Sequence, residues 1–235
     1  MTKLYLVPTP IGNLKDITLR ALEVLKSVDL ILAEDTRVAS RLLKHYEINK
    51  SIKKFNKDNE HSSIEYWANE LLSGKNIALV SDAGTPGISD PGYLLAKASI
   101  DKGIEVECLA GPVAFVPALI ASGISCDRFC FEGFLPHKKG RQKRILSLKE
   151  ETRTIIFYES PHRIQKLILE LCEHFEDDRK ACISREISKI YEEHIRGSLK
   201  EINIILGQRT LKGEIVLIVE GKKEERKVKK NKYKQ

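Results

Sequence analysis

Three loops of this chain combine glycine and proline in the way that ligand loops at strand ends do. The longest, residues 81–92, reads Ser-Asp-Ala-Gly-Thr-Pro-Gly-Ile-Ser-Asp-Pro-Gly and follows the apolar run Ile77 to Val80 directly. Its glycines permit positive φ and close approach of backbone to a bound molecule. Asp90-Pro91 predicts the cap and first turn of a helix. A Gly/Pro segment of four or five residues is usually only a turn, but this connection far exceeds the common length of roughly 2–6 residues, so a functional loop is expected. Ala110-Gly111-Pro112-Val113-Ala114 again follows a strand-like run and opens a helix, and such loops together can frame a small-molecule cleft. The first strand runs into Val7-Pro8-Thr9-Pro10-Ile11-Gly12-Asn13. There Pro8 and Pro10 remove backbone N–H donors, which argues against a pyrophosphate cradle and a dinucleotide-binding dehydrogenase. No phosphate-binding G-x-x-x-x-G-K-[ST] occurs, and the six histidines show no recognisable metal spacing. No metal is expected.

Four charged constellations accompany these loops. Glu34-Asp35-Thr36-Arg37 follows a strand and opens a helix, for which Asp35 or Thr36 is an ordinary cap, and that explains only one of the four residues. Ser184-Arg185-Glu186-Ile187-Ser188-Lys189, taken alone, reads as a solvated charge cluster. Tyr158-Glu159-Ser160-Pro161-His162-Arg163 reads as a helix start, with Ser160 as cap and Pro161 in the first turn. Residues 137–144 hold five basic side chains and no acidic one, close to Phe131 and Phe134.

Strand-like apolar runs must place these loops. Candidates are Leu4 to Val7, Leu30 to Ala33, Ile77 to Val80, Ile104 to Cys108, Phe129 to Glu132, Thr154 to Phe157, Ala181 to Ser184 and Glu214 to Val219. Most alternate with helical patterns, such as the apolar stripe Ile164, Leu167, Ile168, Leu171 and Phe175, which is the grammar of an α/β protein. A chain of 235 residues suits two domains. The boundary is expected after the short apolar helix bracketed by Gly111 and Gly123, giving domains 1–123 and 124–221. Residues 222–235 hold eight Lys or Arg against two Glu, so six of the seven net positive charges sit in what reads as a disordered, solvated tail. The five cysteines form no C-x-x-C pair and are expected to be reduced and mostly buried. No apolar run is long enough to span a bilayer and the first residues show no signal-peptide pattern, so a cytoplasmic protein without membrane contact is expected.

The ordered set V-P-T-P-I-G-N-L, L-A-E-D-T-R, S-D-A-G-T-P-G-I-S-D-P-G, A-G-P-V-A, F-Y-E-S-P-H-R and S-R-E-I-S-K resembles the family of ribosomal RNA small subunit methyltransferase I, over residues 3 to about 221. Any one motif could be a turn; six in register are specific. The resemblance implies an S-adenosylmethionine-dependent methyltransferase with two α/β domains of the tetrapyrrole methylase type, the cofactor cleft between them, commonly a homodimer. It implies 2′-O-methylation of a cytidine in the decoding region of 16S rRNA, in the small ribosomal subunit.

By the same resemblance the cofactor contacts Pro10, Asp82, Ala83, Gly84, Thr85, Ile88, Val113, Ala114 and an edge of the second domain at Gly213. Methyl transfer to a ribose hydroxyl needs positioning and a base. Asp35 or Glu34 is expected at the cleft, with Arg37 binding an RNA phosphate or orienting the carboxylate. Glu186 and Lys189 become candidates for the base or for help to the developing alkoxide. Lys138, Lys139 and Arg141 are expected on RNA phosphates, and Tyr158, His162 and Arg163 to stack on or grip RNA. Two other function classes remain: a tetrapyrrole-type methylase of the same fold, separated by which acceptor takes a labelled methyl, and a non-catalytic RNA-binding factor, separated by whether the chain binds S-adenosylmethionine.

Overall fold

The computed structural model describes residues 2–223. The backbone divides into two compact units, Met1–Pro117 with Glu186–Glu192, and Ala118–Arg185 with the chain from Glu193 onward.

The first unit contains β1 (Lys3–Leu6), α1 (Leu19–Ser27), β2 (Leu30–Ala33), α2 (Thr36–His45), β3 (Ile52–Lys54), α3 (Glu60–Leu72), β4 (Ile77–Val80), α4 (Tyr93–Asp101) and β5 (Glu105–Cys108), and α5 (Phe115–Ser122) begins in it. Its sheet runs β3-β2-β4-β1-β5 with every neighbouring pair parallel. Parallel strands need helical crossovers that cover both faces, which is why β2 and β4 are apolar at every position and fully buried. Alternate side chains serve opposite cores. Val7, Ile31, Ala33, Ala78 and Val80 pack with Ala21 and Leu25 of α1 and Ala39 and Leu43 of α2. Leu4, Leu6, Leu30, Leu32, Ile77 and Leu79 pack with Trp67 and Leu71 of α3 and Leu95 of α4. Neighbours β1 and β4 therefore send their following helices to opposite faces, the arrangement that opens a crevice at the carboxyl ends of two strands.

The second unit contains β6 (Phe129–Phe134), α6 (Arg141–Leu148), β7 (Thr154–Glu159), α7 (Ile164–His174), β8 (Lys180–Arg185), β9 (Glu193–Ser198), α8 (Leu199–Gln208) and β10 (Ile215–Val219). The sheet order is β6-β7-β10-β8-β9, parallel only between β6 and β7. Ile155, Phe157, Ala181, Ile183, Leu217 and Val219 point to one face, where Ile145, Leu148, Ile164, Leu167, Leu171, Ile202 and Leu206 of the three helices close the core.

Several expectations change. The division falls at Pro117, inside α5, rather than after residue 123, and residues 186–192 return to the first unit, a long-range association that a linear reading misses. The proposed tail, 222–235, lies outside the described residues except for Lys222 and Lys223. Strands β3 and β9 were not expected: β3 has three residues, two of them exposed lysines, and β9 reads Glu-His-Ile-Arg-Gly-Ser, without an apolar run. Helix α4 starts at Tyr93 behind Gly92, so Asp90-Pro91 belongs to the loop, and α7 starts at Ile164, one turn after Ser160. Of the cysteines only Cys182 is fully buried; Cys108 lies on edge strand β5 and is exposed, as is Cys126. No helix among the described residues is long and apolar enough to cross a membrane.

Candidate active site

In the first unit, four loops leave the carboxyl edge of the parallel sheet and are tied to one another mainly through backbone. Thr9 and Gly84 exchange both backbone hydrogen bonds, at 2.9 and 3.0 Å, joining the loops after β1 and β4. The Thr9 hydroxyl also donates to the Ser81 carbonyl at 3.2 Å. The Thr85 hydroxyl donates to the Pro112 carbonyl at 2.9 Å, which brings in the loop after β5. At Gly111 a Cβ would meet Pro8 Cβ at 2.6 Å, so glycine is what lets these loops touch. The loop after β2 joins through the Asp35 N–H, which donates to Asp82 Oδ1 at 2.9 Å. Pro10, Asp82, Ala83, Gly84, Thr85, Ile88, Val113 and Ala114 thus lie on three loops connected to one another.

The 81–92 loop needs unusual backbone at four places: Gly84, Gly87 and Gly92 have φ of +85°, +87° and +135°, and Ser89 has +66°. Gly92 stands ahead of α4, and its N–H, which no cap side chain of its own could satisfy, donates at 2.9 Å to the buried Glu60 carboxylate. Lys57 Nζ donates to the Ser89 carbonyl at 2.6 Å. Sequence reasoning overlooked Glu60, Lys57 and Asp90. The first two act on a loop some thirty positions away, and Asp90 was read only as a cap.

Carboxylates gather at this edge with distinct electrostatics. Asp35 caps α2, accepting the Arg37 N–H at 2.8 Å, and its oxygens take the Arg37 guanidinium at 2.6 to 3.2 Å. Those hydrogen bonds hold the Asp35 carboxyl far below the usual carboxylate range. The Arg37 side chain is otherwise open to solvent. Glu34 behaves oppositely: burial, then the charges of Asp90 and Asp82, raise its pKa. Burial chiefly, opposed by Lys57 and reinforced by Asp82, pushes Asp90 up to about 6.

Glu186 and Lys189 lie in the segment that returns to the first unit. Glu186 and Ser188 adopt φ of +53° and +66°, conformations a non-glycine residue holds only when its surroundings insist. The restraints are visible. Ser188 N–H donates to Glu192 Oε2 at 2.7 Å, its hydroxyl donates to Asp16, and Lys189 Nζ pairs with Glu186 Oε1 at 2.8 Å. A Cβ at Gly12 would collide with the Lys189 stem, so this segment seats on the loop after β1.

The second unit builds its polar centre from side chains. Glu159, 2% exposed at the end of β7, accepts the Ser160 N–H at 2.8 Å and pairs with Arg163 at 2.7 Å and Arg141 at 3.5 Å. Arg141 also pairs with Glu170 at 2.8 Å and is only 5% exposed. Arg141 is thereby corrected: a guanidinium held among carboxylates inside the fold does not meet a phosphate. Lys138 and Lys139 are exposed on the loop ahead of it. Arg163 reaches the His137 ring at 2.7 Å, His162 is exposed, and Tyr158 is half-buried. Gly213, with φ of +89°, follows Lys212, whose carbonyl accepts Arg185 Nε at 3.0 Å.

The profile of the family described as Tetrapyrrole (Corrin/Porphyrin) Methylases matches residues 3–203. Among proteins of known name, the chain is 51% identical to ribosomal RNA small subunit methyltransferase I of Buchnera aphidicola subsp. Schizaphis graminum, covering 94% of this chain and 79% of that one. It is 47% identical to the protein of the same name from Escherichia coli O157:H7, over 94% and 78%. Among solved structures, uroporphyrin-III-C-methyltransferase from Thermus thermophilus superposes with a TM-score of 0.65 at 19% identity, covering 94% of each chain. A cobalt precorrin-4 methyltransferase superposes at 0.66 and 16% identity, over 93% and 94%. At such identities the two structures speak for the fold alone. With its profile match, its two α/β units and relatives at about half identity over nearly its whole length, the chain belongs to the tetrapyrrole methylase family, in the group named ribosomal RNA small subunit methyltransferase I.

Proposed function

We propose that the protein transfers a methyl group from S-adenosylmethionine to the ribose 2′-hydroxyl of a cytidine in the decoding region of 16S rRNA. On this reading it works in the cytoplasm, as a homodimer, on the small ribosomal subunit. The observation that carries the reading is the extended identity to relatives of that name, 46 to 51% over 93 to 94% of this chain.

The residues of the first unit suit the cofactor. The glycine-bearing loops leave backbone close to any ligand at the sheet edge. Half-buried Glu34 and Asp90 resist ionisation beside Asp82, so a cationic ligand is favoured there. Pro10, Asp82 to Ile88, Val113 and Ala114 would hold it. When bound, S-adenosylmethionine supplies an electrophilic methyl group.

The chain's own residues then have separable tasks. Asp35, locked to Arg37 and depressed in basicity, is a poor proton acceptor and holds the guanidinium in place instead, while Arg37 presents cationic donors to an RNA phosphate. Glu34, with its raised pKa, is the stronger base for the hydroxyl proton. The Glu186–Lys189 pair keeps a cation beside the loop after β1, where it can offset the charge of a developing alkoxide. Lys138, Lys139, His162 and Arg163 bind the RNA.

The test is transfer of labelled methyl to small subunits, to free 16S rRNA and to uroporphyrinogen, followed by mapping of ribose methylation. Label in rRNA at a cytidine 2′-oxygen is the expected result. Label only in the tetrapyrrole overturns it.

A further inference from the structure

The second unit carries an aromatic cluster of which only Tyr158 has been given a role above. In a regular strand, residues three apart point to opposite faces. Phe131 and Phe134 nevertheless share one face, because β6 is bulged: Phe131 pairs with Ile156, Glu132 is the extra residue, and Gly133 and Phe134 pair with Phe157 and Tyr158. Gly133 takes φ of +59° to make the bulge. Both phenylalanines are thus turned away from the helix-packed core and onto Tyr158. The Tyr158 ring lies edge-on to both, 5.1 Å from Phe131 and 5.6 Å from Phe134. Phe134 remains 52% exposed, on edge strand β6. A bulge that re-aims a side chain and then leaves it in solvent is costly unless something covers the ring.

Charge indicates what covers it. The chain passes from Phe134 straight into the loop bearing His137, Lys138 and Lys139. Its two ends are pinned to Glu159, through Arg163 at His137 and through Arg141 at the start of α6. Lys138 and Lys139 are left outward, and no ion pair among the described residues engages them or Lys143. The acidic neighbours are neutralised: Glu132 by Arg144 at 2.6 Å, Glu159 by Arg163 and the buried Arg141, and Glu170 by Arg141. An open aromatic ring beside a fixed, unopposed cationic loop matches an unpaired nucleotide, which offers a π-face and a phosphate together.

We propose that Phe134, braced by Tyr158 and Phe131 and flanked by Lys138 and Lys139, is a stacking seat for an unpaired base of the substrate RNA. The seat rests on the rRNA reading for the identity of its RNA, not for its chemistry. Phe134 selects single-stranded over paired RNA, the lysines hold the adjoining phosphates, and Arg141 acts as a positioning residue that fixes the loop from within.

The full chain and its Phe134→Ala and Phe134→Tyr variants are titrated with a single-stranded oligoribonucleotide containing 2-aminopurine, whose fluorescence falls on stacking. The unmodified protein quenches the probe; Phe134→Ala abolishes quenching and weakens binding about tenfold; Phe134→Tyr restores both. On small subunits Phe134→Ala raises KM for rRNA and leaves kcat and S-adenosylmethionine binding unchanged. A Lys138→Ala/Lys139→Ala double variant, remote from the core, reduces the salt slope of RNA binding by about 1.4. Absence of quenching by the unmodified protein, or unchanged quenching in Phe134→Ala, overturns the seat. So does a shift from dimer to monomer in Phe134→Ala with quenching intact, which marks a seam between two copies. A protein that methylates rRNA but shows no Phe134 effect keeps the proposed function and loses the seat. One that stacks the probe through Phe134 but transfers no methyl to rRNA does the reverse.

Discussion

The carboxyl edge of the first sheet and the Glu159 centre of the second unit solve the same problem, holding loops still, by opposite means. At the first, backbone meets backbone: Thr9 with Gly84, and Pro8 against Gly111. At the second, loops hang on charged side chains: Arg141 and Arg163 on Glu159, and His137 on Arg163. A backbone-built edge tolerates changed side chains and fails when a Cβ is added where none fits. A charge-built centre fails when one partner is removed. The former fixes its loops without spending their side chains, and the latter leaves Lys138 and Lys139 exposed.

The contrast breaks most sharply at Glu159. Glu159→Ala takes a carboxylate from two guanidinium groups, one of them buried with an Nη2 that already lacks a hydrogen-bond partner. Urea unfolding of the full chain should show a loss of about 3–5 kcal/mol. A loss below about 1 kcal/mol, the size of an exposed ion pair, would mean that apolar packing alone holds this centre.

At the first sheet edge the informative pair is Gly92 and Gly84. Alanine at Gly92 combines φ of +135° with a Cβ 2.9 Å from Leu79 Cδ2, and a loss of about 3 kcal/mol is expected. Alanine at Gly84 meets nothing nearer than Ile11 Cγ2 at 3.5 Å, so only the left-handed backbone costs, about 1–2 kcal/mol. Equal losses at the two positions would show that crowding behind Gly92 is unimportant.

The smallest effect is a pH dependence. Asp90, raised to about 6 by burial, keeps its proton in the folded state at pH values where the open chain, with a pKa of roughly 4, has lost it. Its contribution therefore falls as pH rises from roughly 4 to 6 and is flat above. Asp90→Asn should flatten urea midpoints across that window, and any fall that persists belongs to Glu34, whose pKa is also raised. S-adenosylmethionine, as a cation, should diminish the fall in the unmodified protein.

How much of this was legible in sequence follows the same divide. The loops of the first unit declared themselves because glycine and proline report backbone geometry locally, at Gly84, Gly87 and Gly92 as at Pro8 and Pro10. The second unit's centre did not, because Arg141 looks like its neighbours Lys139 and Lys143 until Glu159 and Glu170, 18 and 29 residues away, enclose it. The bulge in β6 was invisible for a related reason: Phe131 and Phe134, three apart, read as opposite faces until the pairing with β7 is known. Strand β9 escaped because only Ile195 of its residues is buried.

The segment Glu186–Glu192 has a consequence for how the molecule is made. The first unit is not finished when residue 117 leaves the ribosome; its last piece arrives some seventy residues later, after most of the second unit has been synthesised. A nascent chain stopped before Ile187 lacks the stem that lies over Gly12 and the hydroxyl that reaches Asp16. Such a truncated product would present a sheet whose carboxyl edge is incompletely assembled, so that during translation the loop after β1 is braced late, before β9, α8 and β10 have been made.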